Sequence, residues 1–234
     1  MIGWFGDGNY YVGNNNLKSE AANTISGTAR LHGNGAHAWE VKATPYFTYV
    51  ENYIDVDTIG TTMYGMSTFN QLRFANHDAR LYGGDLSGKM SLWNDARAGH
   101  GMLSGVGNWV HGSRTDTGAG LYQMMPLNLR LNLDEDWRGL NAGVGMEAVD
   151  RKSRLDPNRL EQATPGYTLF NMHAGYHGKH VEGGVKIDNL LNRDYELPLG
   201  GVNFDDFMAS MWMAQIKPLT GRGRSASFNL TAHF

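Results

Sequence analysis

The chain has 234 residues, of which 41% are hydrophobic and 18% charged, with no cysteine and a formal net charge of −3. The lack of cysteine excludes disulfides and thiolate metal sites, and the scattered lysines and arginines form no basic stripe that would bind nucleic acid. The sequence lacks the run of about 18 apolar residues that a transmembrane helix needs, and its thirty-one glycines and 11% aromatic residues favour many short strands.

The first two predicted strands follow each other across a tight turn. Alternation with a period of two begins near residue 21, and Ile25 and Leu31 share one face of the first strand. Gly33-Asn34-Gly35 then predicts the turn. Pro45 interrupts the hydrogen-bond donors of the second strand, which indicates a bulge or a locally unpaired position. The alternating apolar residues of this strand are Trp39, Val41, Ala43, Phe47 and Tyr49.

Six more strands follow before the C-terminal one. The third is long, from about Asn70 to Leu92, and the fourth, from about Met102 to His111, is rich in glycine and alternates poorly. The next four alternate cleanly between an apolar and a polar face. Their apolar positions include Leu127, Leu129, Leu131, Leu133, Leu140, Ala142, Val144, Met146, Ala148, Phe170, Met172, Ala174, Tyr176, Val181, Val185 and Ile187.

The last eleven residues form the ninth predicted strand, which ends the sequence on Phe234. A strand sends successive side chains to opposite sides, so this segment has one apolar and one polar face. The apolar face carries Ala226, Phe228, Leu230, Ala232 and Phe234, and the polar face carries Ser225, Ser227, Asn229, Thr231 and His233.

The connections between these strands alternate strictly between short and long. A barrel that spans an outer membrane has short periplasmic turns and long extracellular loops, with lipid against its apolar face. A water-soluble β-sandwich, the main alternative for the fold, has no reason to sort its loops in this way. The short connections are 32–38, 93–101, 134–138 and 177–180, and the long ones are 51–69, 112–121, 153–166 and 191–222.

An odd number of strands cannot close an antiparallel barrel. An open strand edge in hydrocarbon costs several kcal/mol for each unpaired backbone group. We therefore expect either one miscounted strand or an incomplete chain.

Four motifs occur in an order that is typical of one family of membrane proteins. Gly13-Asn-Asn-Asn-Leu-Lys-Ser-Glu20 resembles "GN-x-x-LKPE" with serine for proline, and Asn76-His-Asp-Ala-Arg-Leu-Tyr-Gly-Gly-Asp85 resembles "N-x-x-x-A-x-x-x-G-x-E" with aspartate for glutamate. Val185-Lys-Ile-Asp-Asn-Leu-Leu-Asn-Arg-Asp-Tyr195 is similar to "V-x-N-L-F-D-x-x-Y", and Gly221-Arg-Gly-Arg224 to a "GR-x" ending. Together they resemble the C-terminal part of a TonB-dependent outer-membrane receptor.

The resemblance implies an all-β fold, an antiparallel transmembrane β-barrel segment of about nine strands from the last part of a 22-stranded barrel. In the family a plug domain with a TonB-contacting box fills the barrel, and this sequence matches neither. We therefore expect residues 1–20 to be the remnant of an extracellular loop and residues 21–234 to be the C-terminal strands with long extracellular loops, with the plug absent.

The implied function is uptake of a metal chelate, with an iron–siderophore as the leading candidate, or of another small nutrient across the cell outer membrane. The partners would be outer-membrane lipid, the barrel assembly machinery and the energy-coupling protein TonB, which acts through the missing plug. No enzyme activity and no cofactor are expected. The alternatives are a copper receptor, a passive porin or structural barrel, and a barrel hydrolase.

Aromatic residues of the outward loops are the predicted ligand contacts, although membrane-interface or loop-packing roles are the simpler interpretation of each. A terminal aromatic is the signal that the barrel assembly machinery reads in the family, so Phe234 is the predicted assembly signal. The predicted ligand contacts are Trp4, Phe5, Tyr10, Tyr11, Tyr64, Phe69, Tyr122 and Trp212.

Three further groups of residues have weaker chemical signals. Clustered thioethers suit Cu(I), so Met208, Met211 and Met213 are candidate copper ligands, although methionine also fills irregular gaps in loops. His173 and His177 lie about 13 Å apart on a strand, which is too far to share an ion. They are expected to line the lumen and to lie beside the turn that follows the strand. A hydrolase would need His111, Ser113 and Asp116 to meet in space, which their proximity in sequence does not ensure.

Overall fold

The computed structural model describes residues 3–6, 8–65, 67–203 and 217–233, which contain twelve strands in one sheet. No helix in these ranges is long and apolar enough to cross a membrane. The strands are β1 (Gly3–Gly6), β2 (Asn9–Val12), β3 (Ala21–Ser26), β4 (Ala29–Gly33), β5 (Trp39–Tyr64), β6 (Ser67–Asp95), β7 (Gly99–Arg114), β8 (Asn128–Trp137), β9 (Leu140–Val149), β10 (Tyr167–His177), β11 (Val181–Asp188) and β12 (Ser225–Ala232).

Consecutive strands from β5 to β12 pair with each other as an antiparallel meander, which confirms the predicted fold class. The strands β3 and β4 both pair with β5 and continue one register, so they act as a single broken strand. Counted in this way, β3 to β12 make the nine predicted strands. Within the described residues the sheet does not close, because β12 pairs only with β11 and β3 and β4 pair only with β5.

The break between β3 and β4 lies where Pro45 predicts it. Ser26 pairs with Tyr46 and Ala29 with Ala43, whereas Gly27 and Thr28 belong to neither strand. Proline has no N–H to donate, and the local contact is a bond from Gly27 N–H to the Pro45 carbonyl at 3.2 Å. On its other side Pro45 stays in register with Gly84 of β6.

The register keeps one apolar and one polar face throughout the meander. Leu131 lies opposite Met146, while its neighbour Arg130 lies opposite Glu147, and Val185 lies opposite Phe228. We call these the outward (apolar) and inward (polar) faces. Phe228 is 86% exposed, so over most of its area the outward face has no protein packed against it.

The long connection expected at residues 51–69 is wrong. β5 continues to Tyr64 and β6 begins at Ser67, so the two strands form an extended hairpin around a turn at residues 65–66. Residues 1–20, which are expected to be the remnant of an extracellular loop, include a second hairpin of β1 and β2, and β2 adds to β6 in parallel at residues 70–73. β7 pairs with β6 only over residues 79–95. The same edge of β6 is therefore free at residues 70–73, where β2 pairs with it.

The other sorted connections are confirmed. β4–β5, β6–β7, β8–β9 and β10–β11 join through two to five residues at one end of the sheet. At the opposite end, β7–β8, β9–β10 and β11–β12 join through residues 115–127, 150–166 and 189–224.

The buried residues concentrate at the end of the long connections. Three small apolar clusters lie there: Tyr11, Val56 and Leu72; Val50, Ala79 and Leu121; and Val149, Tyr167 and Leu169. Each joins a strand end to a neighbouring strand or a long connection. The well-packed part of this protein is therefore the loop-bearing end and not the middle of the sheet.

Candidate functional site

The candidate site is the loop-bearing end of the sheet, which we call the rim and define as residues 51–78, 112–127, 150–166 and 189–203. Long surface segments held by a rigid scaffold are where binding residues concentrate. In this protein the segments are not independent, since buried polar side chains join them to each other.

Arg114, at the end of β7, is the centre of the first polar cluster and is buried. Its Nη2 and Nε donate to the Asp116 carboxylate at 2.7 and 3.0 Å, and its Nη1 donates to Asp57 at 3.1 Å. Nη2 also donates to His77 Nδ1 at 2.7 Å, and the other ring nitrogen of His77 lies 3.0 Å from Asp57. The two-pronged contact with Asp116 fixes the plane of the guanidinium, and the cluster ties β5, β6 and β7 together.

Arg159 is the centre of the second polar cluster. Its Nη1 lies 3.9 Å from Asp55 and 3.7 Å from Asp156, and its guanidinium carbon lies 4.2 Å from the centre of the Tyr122 ring. The carboxylates of Asp55 and Asp156 are almost completely buried. A buried carboxylate needs a compensating charge, and Arg159 supplies it for both.

Glu161 joins three rim segments. One carboxylate oxygen accepts hydrogen bonds from Lys152 Nζ at 2.5 Å and from the Gln123 backbone N–H at 2.8 Å, and the other accepts from the Asp156 N–H at 2.7 Å. Lys152 Nζ also donates to the carbonyl of Pro198 at 2.8 Å. Both side chains of the Lys152–Glu161 pair are buried, so the connections 115–127, 150–166 and 189–203 form one packed unit.

Asn158 docks this unit on the upper part of β5. Its side-chain N–H donates to the Val56 carbonyl at 3.0 Å, and its side-chain oxygen accepts from the Thr58 hydroxyl at 3.2 Å. The extended β5–β6 hairpin is therefore a wall against which the connection 150–166 rests.

Two rim carboxyl groups have pKa values shifted in opposite directions. The pKa of Asp156 is raised above its usual value, first by burial and then by the nearby carboxylate of Asp55, against the lowering effect of a backbone hydrogen bond and Arg159. The pKa of Asp116 is held far below its usual range, first by the hydrogen bonds from Arg114. The two clusters therefore respond to acid at different pH.

The predicted aromatic contacts are distributed over the rim and the N-terminal hairpin. Tyr11 and Phe69 are only 7% and 3% exposed, and Tyr11 stacks on Phe74 at 5.7 Å, so these two have little surface to offer a ligand. Tyr122 is half-buried beneath Arg159, and Tyr10 is half-buried in β2. Trp4 and Phe5 lie in β1, Tyr64 ends β5, and Trp212 lies outside the described residues.

The copper candidates Met208, Met211 and Met213 and the assembly signal Phe234 also lie outside the described residues. Elsewhere in the rim, Met124 and Met125 pack against the apolar clusters around Leu121 and Tyr167. Met63, near the end of β5, is 72% exposed. In the described ranges, no three His, Asp, Glu or Cys side chains are grouped so that they could hold a metal ion.

The histidines of β10 lie on the inward face and beside the turn, where the sequence predicts them. His173 lies 3.7 Å from Asp134 across the sheet, and His177 lies 3.7 Å from Glu182. Each therefore has a carboxylate partner of its own.

The three residues of the hydrolase alternative take separate partners. His111 Nε2 accepts from Arg154 at 2.9 Å, and the Ser113 hydroxyl accepts from Arg80 at 3.3 Å. The Asp116 carboxylate is held by Arg114 and Thr117. A hydrolase needs its histidine on the serine hydroxyl, and the arginines occupy these positions.

Sequence reasoning missed Arg114, Lys152, Arg159 and Glu161, which organise the rim. The Arg114–Asp57 contact joins residues 57 apart in the chain, and the Asn158–Val56 contact joins residues 102 apart. The one local signal is the pair Asp55 and Asp57, whose spacing of two puts both carboxylates on the same face of β5.

One protein family matches most of the chain. The family model described as "TonB dependent receptor-like, beta-barrel" matches residues 3–190. No curated protein sequence matches the chain.

Solved structures of two metal transporters and one outer membrane receptor share the fold. The copper transporter OprC superposes with a TM-score of 0.76 at 19% identity, over 92% of this chain and 32% of its own. The pyoverdine outer membrane receptor FpvA from Pseudomonas aeruginosa PAO1 has a TM-score of 0.63 at 12% identity, over 93% and 30%. The FrpB iron transporter from Neisseria meningitidis has a TM-score of 0.62 at 10% identity, over 95% and 32%. The chain thus spans about a third of the length of these proteins.

Proposed function

Since the chain belongs to the TonB-dependent receptor-like β-barrel family, we propose that it supplies barrel strands and ligand-capturing loops of an outer-membrane receptor for a metal chelate. Its outward face lies against lipid, its inward face lines the lumen, and its rim faces the outside of the cell. The observation that carries this proposal is the gathering of the long connections at one end of the sheet, where buried ion pairs hold them together.

The spacing of aromatic residues supports the membrane placement. On the outward face of β5, Trp39 and Tyr49 lie ten residues apart, and Trp137 and Tyr176 lie at or beside the ends of their strands at the same short-turn end of the sheet as Trp39. Ten residues at about 3.3 Å each, tilted by about 40°, span about 25 Å along the membrane normal, the height of the apolar band of such barrels.

The open edges of β12 and of β3 with β4 support a larger barrel. Exposed edges are not tolerated in hydrocarbon, so further strands pair with both edges in the working receptor. A plug domain and its TonB contact belong to the same larger assembly, in which TonB energises release of the captured chelate into the lumen.

A ligand titration of the complete receptor tests the proposal. Purified receptor in detergent is titrated with ferric catecholate and ferric hydroxamate chelates, and intrinsic tryptophan fluorescence reports binding. We expect saturable quenching by one class, and growth of cells on that chelate that depends on TonB. Absence of saturable binding, or growth that is unchanged without TonB, would favour the passive porin.

Copper is the second candidate ligand, and exposed Met63 favours it because a free thioether at the rim can coordinate Cu(I). Replacement of Met63 by leucine, alone and together with Met208, Met211 and Met213, is expected to weaken Cu(I) binding stepwise and to leave chelate binding unchanged. Equal Cu(I) affinity of the quadruple variant and the wild type would rule out these four methionines as copper ligands.

A further inference from the structure

A cavity of about 230 Å³ lies beside the upper end of β7, where β8 no longer pairs with it. The last β7–β8 pair is Asn108 with Asn128, and the cavity borders residues 109–112 beyond that point. Its remaining walls come from residues 120–121, 124–127 and 150–154 of the rim and from Tyr82 of β6.

This cavity lies at the level where the outward face changes from apolar to charged. Below it the outward positions of β6 are Met90 and Leu86, then Tyr82, and the next outward position is Arg80. Trp109 and His111 of β7 lie beside Tyr82 on the same face, with ring centres 5.6 and 4.7 Å from that of Tyr82. Aromatic residues mark the membrane interface in such barrels.

The cavity carries arginines for which the described residues supply no ion-pair partner. Arg151 and Arg154 line it, and Arg80, which is bonded to Ser113 outside the wall, is a third arginine nearby. Arg154 donates to the neutral nitrogen of His111. In the described part of the chain, none of these three arginines forms an ion pair with an acidic side chain, whereas Lys152, also in the wall, is neutralised by Glu161.

One carboxylate, Asp150, is also part of the wall. It accepts a hydrogen bond from the backbone N–H of Arg151 at 2.7 Å, which occupies one of its oxygens. With two arginines against one carboxylate the wall keeps a positive excess, and arginine recognises phosphate oxygens in a two-pronged geometry.

An apolar groove of about 380 Å³ lies below the cavity on the same outward face. Leu86, Leu103, Leu129 and Leu131 line it. A basic, aromatic-walled cavity above an apolar groove matches a molecule with an anionic head and hydrocarbon chains.

We propose that this cavity binds the phosphorylated headgroup of a lipid of the outer leaflet, with an acyl chain in the groove below. Arg154 and Arg151 hold the phosphate, and Trp109 and Tyr82 pack beside the headgroup. This inference rests on the proposed membrane placement of the outward face, and it is independent of which chelate the rim captures. Basic pockets at membrane-protein surfaces recognise lipid headgroups by the same chemistry.

The test is lipid retention by the complete receptor. The receptor is reconstituted in phosphatidylcholine vesicles that contain diphosphoryl lipid A, extracted in mild detergent and weighed by native mass spectrometry. We expect one retained lipid A, and at least tenfold less retention when its phosphates have been removed, since a charge-assisted hydrogen bond contributes about 1.4 kcal/mol or more. The double variant Arg151→Gln/Arg154→Gln is expected to lose retention to the same extent.

Arg130→Gln is the matched control, because Arg130 lies on the inward face with Glu147 as its partner, and it should retain lipid A as the wild type does. Equal retention of phosphorylated and dephosphorylated lipid A by the wild type would overturn the inference, and this comparison needs no variant to fold. Displacement of lipid A by inorganic phosphate alone would show that the cavity recognises free phosphate and not a lipid headgroup, which would overturn the proposal. Failure to insert into any vesicle would instead count against the membrane placement.

Discussion

At the scale of single residues, buried ion pairs explain why flexible connections are ordered in this protein. Asp55 is 1% exposed, and both nearby guanidinium groups lie within 4 Å of its carboxylate. Taking such charges out of water is costly unless each is paired, so the loss of one partner leaves the others without a compensating charge. The rim should therefore be sensitive to single substitutions at buried charges and tolerant at exposed ones.

Arg114→Ala is expected to destabilise the protein by about 2 kcal/mol, because Asp57 and Asp116, which are both partly exposed, lose the charge-assisted hydrogen bonds of the buried guanidinium. The free energy of unfolding, measured by urea titration in lipid vesicles, checks this value. Arg130→Ala is the control, since its 3.3 Å contact with Glu147 is solvent-exposed and should contribute no more than about 1 kcal/mol. Equal effects of the two changes would contradict a dominant role for Arg114.

Mild acid is expected to tighten the docking of the connection 150–166. The folded pKa of Asp156 is raised above the usual value of 3.8, so its ionised form opposes docking. As the pH falls through the raised pKa, the docked state binds a proton that the undocked state does not, and docking gains stability until the pH reaches the usual value. Hydrogen-exchange protection, corrected for intrinsic rates, should rise in this window.

Asp156→Asn should abolish this pH response while keeping the side-chain oxygen that accepts the Asn158 N–H. Asp116 responds with the opposite sign and at lower pH. Its folded pKa is depressed, so its contribution is complete above the usual value and is lost as the pH falls from there towards the depressed pKa. Loss of protection at mildly acidic pH in the wild type would contradict the assignment to Asp156.

At the scale of elements, alternation with a period of two is a local property, and nearly every strand could be read from it. The Pro45 break, the short turns and the two faces of β8 to β12 all follow from residues that lie next to each other in the chain. The extended β5–β6 hairpin was missed because register shifts after Val50 and after Thr58 interrupt the alternation, so no continuous apolar face marks these strand segments. Pairing with β2 and docking of Asn158 stabilise them instead.

The rim connections are expected to loosen together when their shared carboxylate is removed. Glu161→Gln leaves the buried Lys152 ammonium without an anionic partner, at a cost of about 3 kcal/mol. Hydrogen-exchange protection should then fall by roughly 100-fold in residues 121–125, 150–166 and 195–200 at once.

Asp188→Asn is the control for this change, because its pair with Lys186 is exposed and its loss should leave the rim protected. Loosening confined to residues 150–166 in the Glu161 variant would show that the connections are independent.

At the scale of the whole molecule, the distribution of packing separates two parts of the sheet. The rim contains the apolar clusters and the buried charges, whereas the middle of the sheet leaves large apolar side chains uncovered on the outward face. Exposure of so large an apolar face to water is unfavourable, and this supports the proposed placement of the face against lipid.

Substitutions of adjacent residues on β8 test which face meets lipid. Leu131→Arg places a charge near the middle of the outward face and should destabilise the barrel in lipid by about 2–4 kcal/mol. Asn132→Arg, on the inward face, should have little effect. The yield of heat-resistant folded protein in the outer membrane measures both, and equal yields would contradict the face assignment.

The sequence by itself determined the strand periodicity, the two faces of the sheet, the end to which most long connections belong and the family, because each depends on neighbouring residues or short motifs. The tertiary structure alone decided how the rim is held together. Arg114 contacts Asp57, and Asn158 contacts Val56, only in the folded protein, where the end of the sheet brings these residues together. Contacts between residues that distant depend on the path of the whole chain, and no local pattern encodes it.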